Sequence, residues 1–273
     1  MQVFFKSDVG RVRKNNEDSL LAITPWSSLG VKQKASLFIV ADGMGGHNAG
    51  EIASSIAINT AKEWFESADL ELVTKEQLTE LCDNANTAVW EYSNQHPQTK
   101  GMGTTFTAML IKKDKAMIAH VGDSRAYRLN ENGFKQLTSD HSLIAEQIKN
   151  GNITPEEART HPARHMLSRV MGARAFMKPD IIEVQLNSGD LYLLCSDGVY
   201  GMLPDKKILK ILQEKDLKKA SEHIIDAAND AGGLDNSTVM LLRLDEVPVL
   251  EYEKYSFKRA MMFLKNWHIQ ATG

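Results

Sequence analysis

Short apolar runs bounded by polar turns dominate the pattern of hydrophobic and polar positions along the chain. Strand-like runs cover residues 2–9, 18–24, 35–41, 104–111, 116–121, 125–130, 133–137, 180–186, 190–196 and 237–244. Several of them are joined by short turns such as "KKDK", "NENG" and "NSGD". Because a parallel crossover needs about a dozen residues or more, runs joined this tightly must be antiparallel. The pattern predicts antiparallel sheets.

Helical periodicity appears between the blocks of strands. Apolar side chains recur at a spacing of three and four residues in 48–66 and 75–95, and two further helices fit 204–213 and 216–231. Helices set between blocks of meandering strands favour α+β layering over a doubly wound sheet.

Two segments depart from this regular pattern. Residues 139–179 are polar, contain several Gly and Pro residues and leave room only for short helices, so they predict an irregular insertion of the functional or mobile kind. After Leu244 a proline break precedes a basic amphipathic stretch from Lys254 to Trp267. For this extension, 245–273, we expect a short terminal helix that packs on the body or frays, with contact to a partner or membrane surface as the alternative.

Composition and charge narrow the class of protein. The chain has 273 residues, 42% hydrophobic and 25% charged, and its net charge of −3 argues against a nucleic-acid-binding protein. The two cysteines, Cys82 and Cys195, fit neither a zinc site nor a disulfide framework. No apolar leader or membrane-spanning window of about 18 residues occurs. We therefore expect a cytoplasmic protein with reduced thiols.

Five aspartates stand at the edges of predicted strands, each beside a Gly, Asn or Ser: Asp18, Asp42, Asp123, Asp197 and Asp235. Any one of them alone is explained as a turn or cap residue. Five such positions in one domain predict that the strand ends bring the carboxylates together at one rim of the sheets.

Converging carboxylates without His or Cys partners select a hard divalent cation, Mg²⁺ or Mn²⁺ rather than zinc. Two such ions bridged by one carboxylate form the usual clamp for displacement at phosphorus. This chemistry also needs a cation on the phosphate, for which Arg13 is a candidate because a guanidinium can grip two phosphate oxygens. From its local sequence alone, Arg13 is equally well explained as a solvated turn residue.

A set of short motifs that occur in the same order makes the chain resemble the metal-dependent protein Ser/Thr phosphatases of type 2C (the PPM family) in their short bacterial form. The matching pieces are "SDVGRVRKNNEDS", "VADGMGGHNAGEIAS", "GMGTTFTAML", "HVGDSRAYRL", "LTSDHSL", "LCSDGVY" and "DNSTVML", in family order from residue 7 to about 243. The resemblance implies a four-layer α-β-β-α sandwich of two antiparallel sheets flanked by helices. It also implies a catalytic domain over 1–244 and identifies the irregular insertion at about 139–179 with the family's variable flap.

The resemblance also implies roles for the acids. Asp42 would be shared by two metal ions, and the Gly43 carbonyl would be a further ligand. Asp197 and Asp235 would complete one site, Asp18 would belong to the other, and Glu17 would act there through water. Asp123 would hold a third ion together with Asp197, and Arg13 matches the phosphate-binding arginine of the family.

The proton donor to the leaving group is left open by the sequence. Some family members carry a histidine directly after the Asp-Gly pair, where this chain has Met44. His47 could serve instead, or a water on the metal could; His47 could equally be a first-turn residue of the following helix.

Hydrolysis of phosphoserine and phosphothreonine in proteins without a phosphoenzyme is the function that the resemblance implies. Substrates would include a Ser/Thr kinase, and the protein would be a monomer without a transmembrane segment. A nucleotidyl- or phosphotransferase is disfavoured because no nucleotide-binding motif occurs. A catalytically weak regulatory binding module of the same fold is the other alternative, disfavoured because all five acids and Arg13 are present.

Overall fold

The strands of the protein form two sheets that share no strand. The computed structural model describes residues 1–24, 35–45, 49–70, 73–154, 157, 161–163 and 166–245. Within them, the strands are β1 (Gln2–Asp8), β2 (Asp18–Ile23), β3 (Ala35–Met44), β4 (Gly103–Thr104), β5 (Phe106–Lys112), β6 (Lys115–Val121), β7 (Arg125–Asn130), β8 (Gly133–Gln136), β9 (Asp180–Gln185), β10 (Leu191–Cys195) and β11 (Ser237–Arg243).

Every strand pair in both sheets is antiparallel, as the short turns predict. The first sheet has the order β1-β11-β10-β7-β8, and the second has the order β2-β3-β5-β6-β9, with β4 paired to β3. The first and last strands of the domain are neighbours in the first sheet, where β1 pairs with β11 along its whole length.

Helices cover the outer face of each sheet. In the described residues, α1 (Ala49–Ser67) and α2 (Lys75–Gln95) pack on the second sheet, and two later helices, Asp205–Leu212 and Leu217–Asp230, pack on the first. Between them along the chain lie α3 (Leu143–Lys149) and the helical turn α4 (Asp197–Tyr200), so the two later helices are α5 and α6, and a 3₁₀ turn covers Pro97–Thr99. The capping box of Thr74 and Gln77 starts α2, and the Asp216 side chain caps α6.

Three apolar clusters separate the layers. One lies between α1, α2 and the second sheet, and another lies between α5, α6 and the first sheet. The third cluster, with Phe38, Met109, Tyr192 and Met240, packs the two sheets against each other. The α+β sandwich of four layers that the sequence implied is therefore correct.

Two details differ from the sequence expectation and both bear on the acids. We expected Asp42 at the end of a strand, but β3 runs on to Met44 because Gly43 and Met44 pair with Gly103–Thr104. The helical turn α4, which Asp197 opens, was not expected, since a turn of this length is too short to show periodicity.

The insertion between β8 and β9 is attached to the body at several points. Its described part contains α3 and an internal backbone bridge from Ser142 to Leu167, and Met171 forms a bridge to Thr104 of β4. The Asn86 side chain on α2 accepts from the Gly172 N–H at 2.8 Å. Beyond residue 245 the expected amphipathic helix lies outside the described residues. In the part of the chain that is described, no helix is long and apolar enough to cross a membrane.

Candidate metal centre

The fold brings the five aspartates from both sheets to one edge of the sandwich. Asp18 and Asp42 lie directly opposite each other in the β2–β3 ladder. Asp123 follows β6, Asp197 opens α4 directly after β10, and Asp235 precedes β11. The four other carboxylates all raise the pKa of Asp42 through their charge, which shows that they lie near it. The predicted convergence of these five side chains is observed.

Two hydroxyl groups of the first sheet hold the Asp18 carboxylate. Its Oδ2 accepts from Ser196 Oγ at 2.7 Å and from Thr238 Oγ1 at 2.6 Å. Its Oδ1 is buried and has no hydrogen-bond partner. Burial raises the pKa of Asp18 to about 6, although the two hydroxyl donors and Asp42 act in the opposite direction and the charge of Asp235 adds to the rise. The free oxygen of Asp18 is available to a cation.

Asp42 is fixed by its backbone, which leaves its carboxyl group free to face the other acids. Thr105 donates its N–H to the Asp42 carbonyl at 2.8 Å, and Thr104 donates its hydroxyl to the same oxygen at 2.9 Å. Burial and then the charges of Asp18, Asp197, Asp123 and Asp235 raise the pKa of Asp42 well above its ordinary value. Without a cation the neighbouring carboxylates repel one another, so some of them must keep a proton.

Asp197, the first residue of α4, and Asp123 form another part of the cluster. Asp197 Oδ1 is buried without a hydrogen-bond partner. Burial raises the pKa of Asp197 to about 6, and Asp235 and Asp18 add to the rise. Burial likewise raises the pKa of Asp123 to about 7, with a further contribution from the charge of Asp197.

Gly43 and Gly50 are required by the close contact between β3 and the start of α1. A Cβ atom on Gly43 would lie 2.1 Å from the Gly50 carbonyl oxygen, and one on Gly50 would lie 2.8 Å from the Glu17 carboxyl carbon. Gly43 has no positive φ, so the requirement for glycine at this position is steric. Its N–H donates to the Glu17 carbonyl at 3.1 Å. Burial raises the pKa of the Glu17 side chain, which lies beside Arg13 and Asp235.

Arg13 is paired with one of the acids. Its Nη2 lies 2.6 Å from Asp235 Oδ2, while about half of the Arg13 side chain stays exposed. Asn236 holds the loop that carries Arg13, since its Nδ2 donates to the carbonyls of Val9 and Asn15 and its Oδ1 accepts from the Glu17 N–H. Arg13 is therefore a cation at the rim of the acid cluster, positioned by its ion pair with Asp235, and its role in binding phosphate stays a prediction.

A divalent cation fits this set of donors. Two buried carboxylate oxygens, on Asp18 and Asp197, lack a hydrogen-bond partner, and burial raises the pKa of four of the acids. Both observations are expected of hard oxygen ligands of a divalent cation. As the side chains stand, no group of three or more His, Cys, Asp or Glu residues in the described ranges could hold an ion by itself. Small rotations of the carboxylates, with water as further ligands, would complete such a site.

His47 lies within 46–48, outside the described residues, so its role as proton donor stays a prediction. Sequence reasoning missed the groups that hold the acids: Thr104, Thr105, Ser196, Tyr200, Asn236 and Thr238. Ser196 and Asn236 have one signal in the sequence, a polar side chain directly beside an acid at a strand edge, and the other four lack even that.

Comparisons with known proteins agree with this fold. The family model described as protein phosphatase 2C matches residues 12–236. The chain is 36% identical to the serine/threonine phosphatase stp of Listeria monocytogenes over 251 residues, which cover 90% of this chain and 96% of the relative.

Solved structures show the same architecture. The S. agalactiae serine/threonine phosphatase superposes with a TM-score of 0.83 at 33% identity, covering 89% of this chain and 99% of that one. The catalytic domain of the serine/threonine protein phosphatase PstP in complex with two manganese ions superposes with a TM-score of 0.77 at 32% identity, covering 88% and 96%. The chain belongs to the protein phosphatase 2C family of metal-dependent serine/threonine protein phosphatases.

Proposed function

We propose that the protein hydrolyses phosphoserine and phosphothreonine in other proteins at the cluster formed by the five aspartates. The single observation that carries this proposal is the pair of buried, unpartnered oxygens on Asp18 and Asp197, two acids whose charges both raise the pKa of Asp42. A buried cluster of carboxylates destabilises the folded protein unless it binds a cation. Enzymes keep such destabilising groups where their function needs them.

We assign two ions, Mn²⁺ or Mg²⁺, to the core of this cluster. Asp42 would be the shared ligand and Gly43 would offer its carbonyl. Asp197 and Asp235 would hold one ion and Asp18 the other, with Glu17 acting through water. Asp123 and Asp197 would hold a third ion. When bound, such ions supply an activated water for attack on phosphorus and neutralise charge on the phosphate oxygens.

The chain's own residues would bind and orient the phosphoprotein. Arg13 lies at the exposed rim with its guanidinium tied to Asp235, so its outer N–H groups can grip two phosphate oxygens while Asp235 fixes its direction. The Ser196 and Thr238 hydroxyls would keep Asp18 in one rotamer as the phosphate arrives. The proton for the leaving hydroxyl would come from His47 or from water.

The biological setting that we propose follows from the relatives. Their names identify phosphatases of bacteria, serine/threonine phosphatases in the case of stp. A Ser/Thr kinase of the same cell is therefore a fitting substrate, or the enzyme whose phosphorylation this protein reverses. Both cysteines are buried and free, which suits a reducing cytoplasm. We propose a monomer, and size-exclusion chromatography with light scattering tests that assignment.

Phosphate release from a phosphothreonine peptide tests the function. The protein should be active with Mn²⁺, inactive in excess EDTA, and active again when Mn²⁺ is restored. Asp42→Asn should lower kcat by about 1,000-fold or more, because the bridging ligand is lost. Glu91→Gln, on the outer part of α2, is the matched control and should leave the rate unchanged. Full activity in EDTA, or in Asp42→Asn, would refute the proposal.

A further inference from the structure

The helical turn α4 connects two acids of the site through its last residue. Asp197 is the first residue of this turn and Tyr200 is its last. The Tyr200 hydroxyl donates to the backbone carbonyl of Asp123 at 3.0 Å. A single rigid turn therefore carries one acid and is bonded directly to the residue that carries another.

The opposite side of α4 is held by close packing. A Cβ atom on Gly198 would lie 2.0 Å from the Asn236 carbonyl oxygen, so α4 is pressed against the segment that contains Asp235. Val199 is fully buried in the cluster under the first sheet. Because α4 lies directly against Asn236 and is anchored in the core by Val199, the Tyr200 hydrogen bond fixes the Asp123 turn relative to Asp197.

Arg125 keeps the Tyr200 ring in place. Its guanidinium carbon lies 3.6 Å from the centre of that ring. Asp140 holds the guanidinium through three hydrogen bonds of 2.6 to 3.2 Å. Arg125 Nη1 also donates to the Tyr127 hydroxyl at 2.9 Å. A stacked arginine with this many bonds restricts the ring, so the hydroxyl stays aimed at the Asp123 carbonyl.

The chemistry of the hydroxyl suits a permanent donor. Burial and the charges of Asp123, Asp140 and Asp197 raise the pKa of Tyr200 well above its ordinary value, so it keeps its proton throughout the physiological range. A donor to the carbonyl of a ligating residue acts on the orientation of that ligand rather than on the ion.

We propose that Tyr200 is a positioning residue that sets the separation of Asp123 and Asp197 and thereby the affinity of the cation site which these two acids share. This inference rests on the proposed function, because it takes Asp123 and Asp197 as ligands. Tyr200 contacts neither the substrate nor an ion in this assignment and acts only through the Asp123 backbone.

Manganese binding, measured by isothermal titration calorimetry, tests the proposal independently of turnover. Asp123→Asn identifies the binding event that depends on Asp123. Tyr200→Phe removes only the hydroxyl and should weaken that same event by about 10-fold while leaving the remaining Mn²⁺ binding unchanged, as expected for loss of a group that orients a ligand. The Mn²⁺ concentration for half-maximal phosphatase activity should rise in parallel if the event contributes to turnover.

Tyr192→Phe is the matched control, since it removes another buried tyrosine hydroxyl, which donates to Asp190 at 2.9 Å between the sheets. It should lower the unfolding temperature by a similar amount without changing any Mn²⁺ affinity. An isotherm for Tyr200→Phe that equals the wild-type isotherm would overturn the positioning role, as would equal isotherms for wild type and Asp123→Asn. Absence of Mn²⁺ binding to the wild-type protein would instead refute the proposed function itself.

Discussion

Asp18 and Asp42 face each other across the β2–β3 ladder, in direct register. Side chains at directly opposed positions of an antiparallel pair have Cβ atoms about 5 Å apart, and like charges there are destabilising. Burial and then the charge of Asp18 raise the pKa of Asp42, and burial raises the pKa of Asp18 to about 6. This pair makes the stability of the protein depend on whether a cation is bound.

Asp42→Asn should stabilise the metal-free protein while it removes activity. The asparagine amide at residue 42 can donate hydrogen bonds to Asp18 and Asp197, and it removes one negative charge from this buried group of acids. Relief of such an active-site conflict typically yields about 1 kcal/mol, and we expect that gain at pH 8 in EDTA, measured by urea unfolding. Mn²⁺ should raise the stability of wild type but not of the variant. A variant that is less stable than wild type in EDTA would contradict this account of the cluster.

Arg13→Ala should raise the KM for a phosphothreonine peptide by about 10-fold or more at saturating Mn²⁺, because a charged group that binds two phosphate oxygens is lost. Arg13→Lys should recover only part of the loss, since lysine keeps the charge but not the planar fork. Steady-state kinetics separates KM from kcat. Arg11→Ala, two residues away and exposed, is the control; equal kinetic constants for Arg13→Ala and wild type would show that the Asp235 ion pair is structural only.

Gly43→Ala should destabilise the protein by about 3 kcal/mol, the upper range for forcing an extra methyl group into a packed contact. The new Cβ would lie 2.1 Å from the Gly50 carbonyl oxygen and 2.7 Å from that of Glu17. Gly101→Ala is the control, because its Cβ would meet nothing within 4 Å although its φ is +82°. Backbone strain alone predicts a cost of about 1 kcal/mol there. Thermal unfolding of both variants compares the two costs, and an equal loss in both would contradict the steric explanation.

The identity of the elements was readable from the sequence because their periodicity is strong. Helix α2 occupies the range that its apolar spacing predicts, and the strand Arg125–Asn130 does the same. The acids were found because each stands at an edge of an apolar run beside a Gly, Asn or Ser. These signals are local, and local patterns can be recognised in the sequence without knowledge of the fold.

The relations between the elements could not be read in the same way. That Asp18 opposes Asp42 depends on the register of β2 against β3, and a shift of one residue would move every side chain to the other face. That Tyr200 bonds the Asp123 carbonyl depends on where a single helical turn packs. Ser196 and Thr238 come from neighbouring strands of the opposite sheet and meet at Asp18 only after the two sheets stack.

His120 should make the protein less stable as the pH falls from 6.5 towards 4. Its side chain is fully buried; Nε2 donates to the Ser139 carbonyl at 3.1 Å, and Nδ1 lies 3.0 Å from Thr107 Oγ1. Burial, and then the neighbouring His141 ring at 4.7 Å, lower the pKa of His120 to about 4, although Asp140 and Asp180 act in the opposite direction. Since the unfolded chain binds this proton near pH 6.5 and the folded protein does so only near 4, unfolding gains a proton between these values.

The contribution of His120 to stability is therefore full above pH 6.5 and is lost as the pH falls through this window, by about 3 kcal/mol in total. The acids of the cluster act with the opposite sign, because their folded pKa values are raised, so the effect is measured as a difference. His120→Gln keeps a donor that can reach the Ser139 carbonyl and does not titrate. Urea unfolding of both proteins in EDTA at pH 7 and pH 4.5 should show that wild type loses about 2 kcal/mol more than the variant. An equal loss in both proteins would mean that His120 accepts its proton in the folded state as readily as in the unfolded chain.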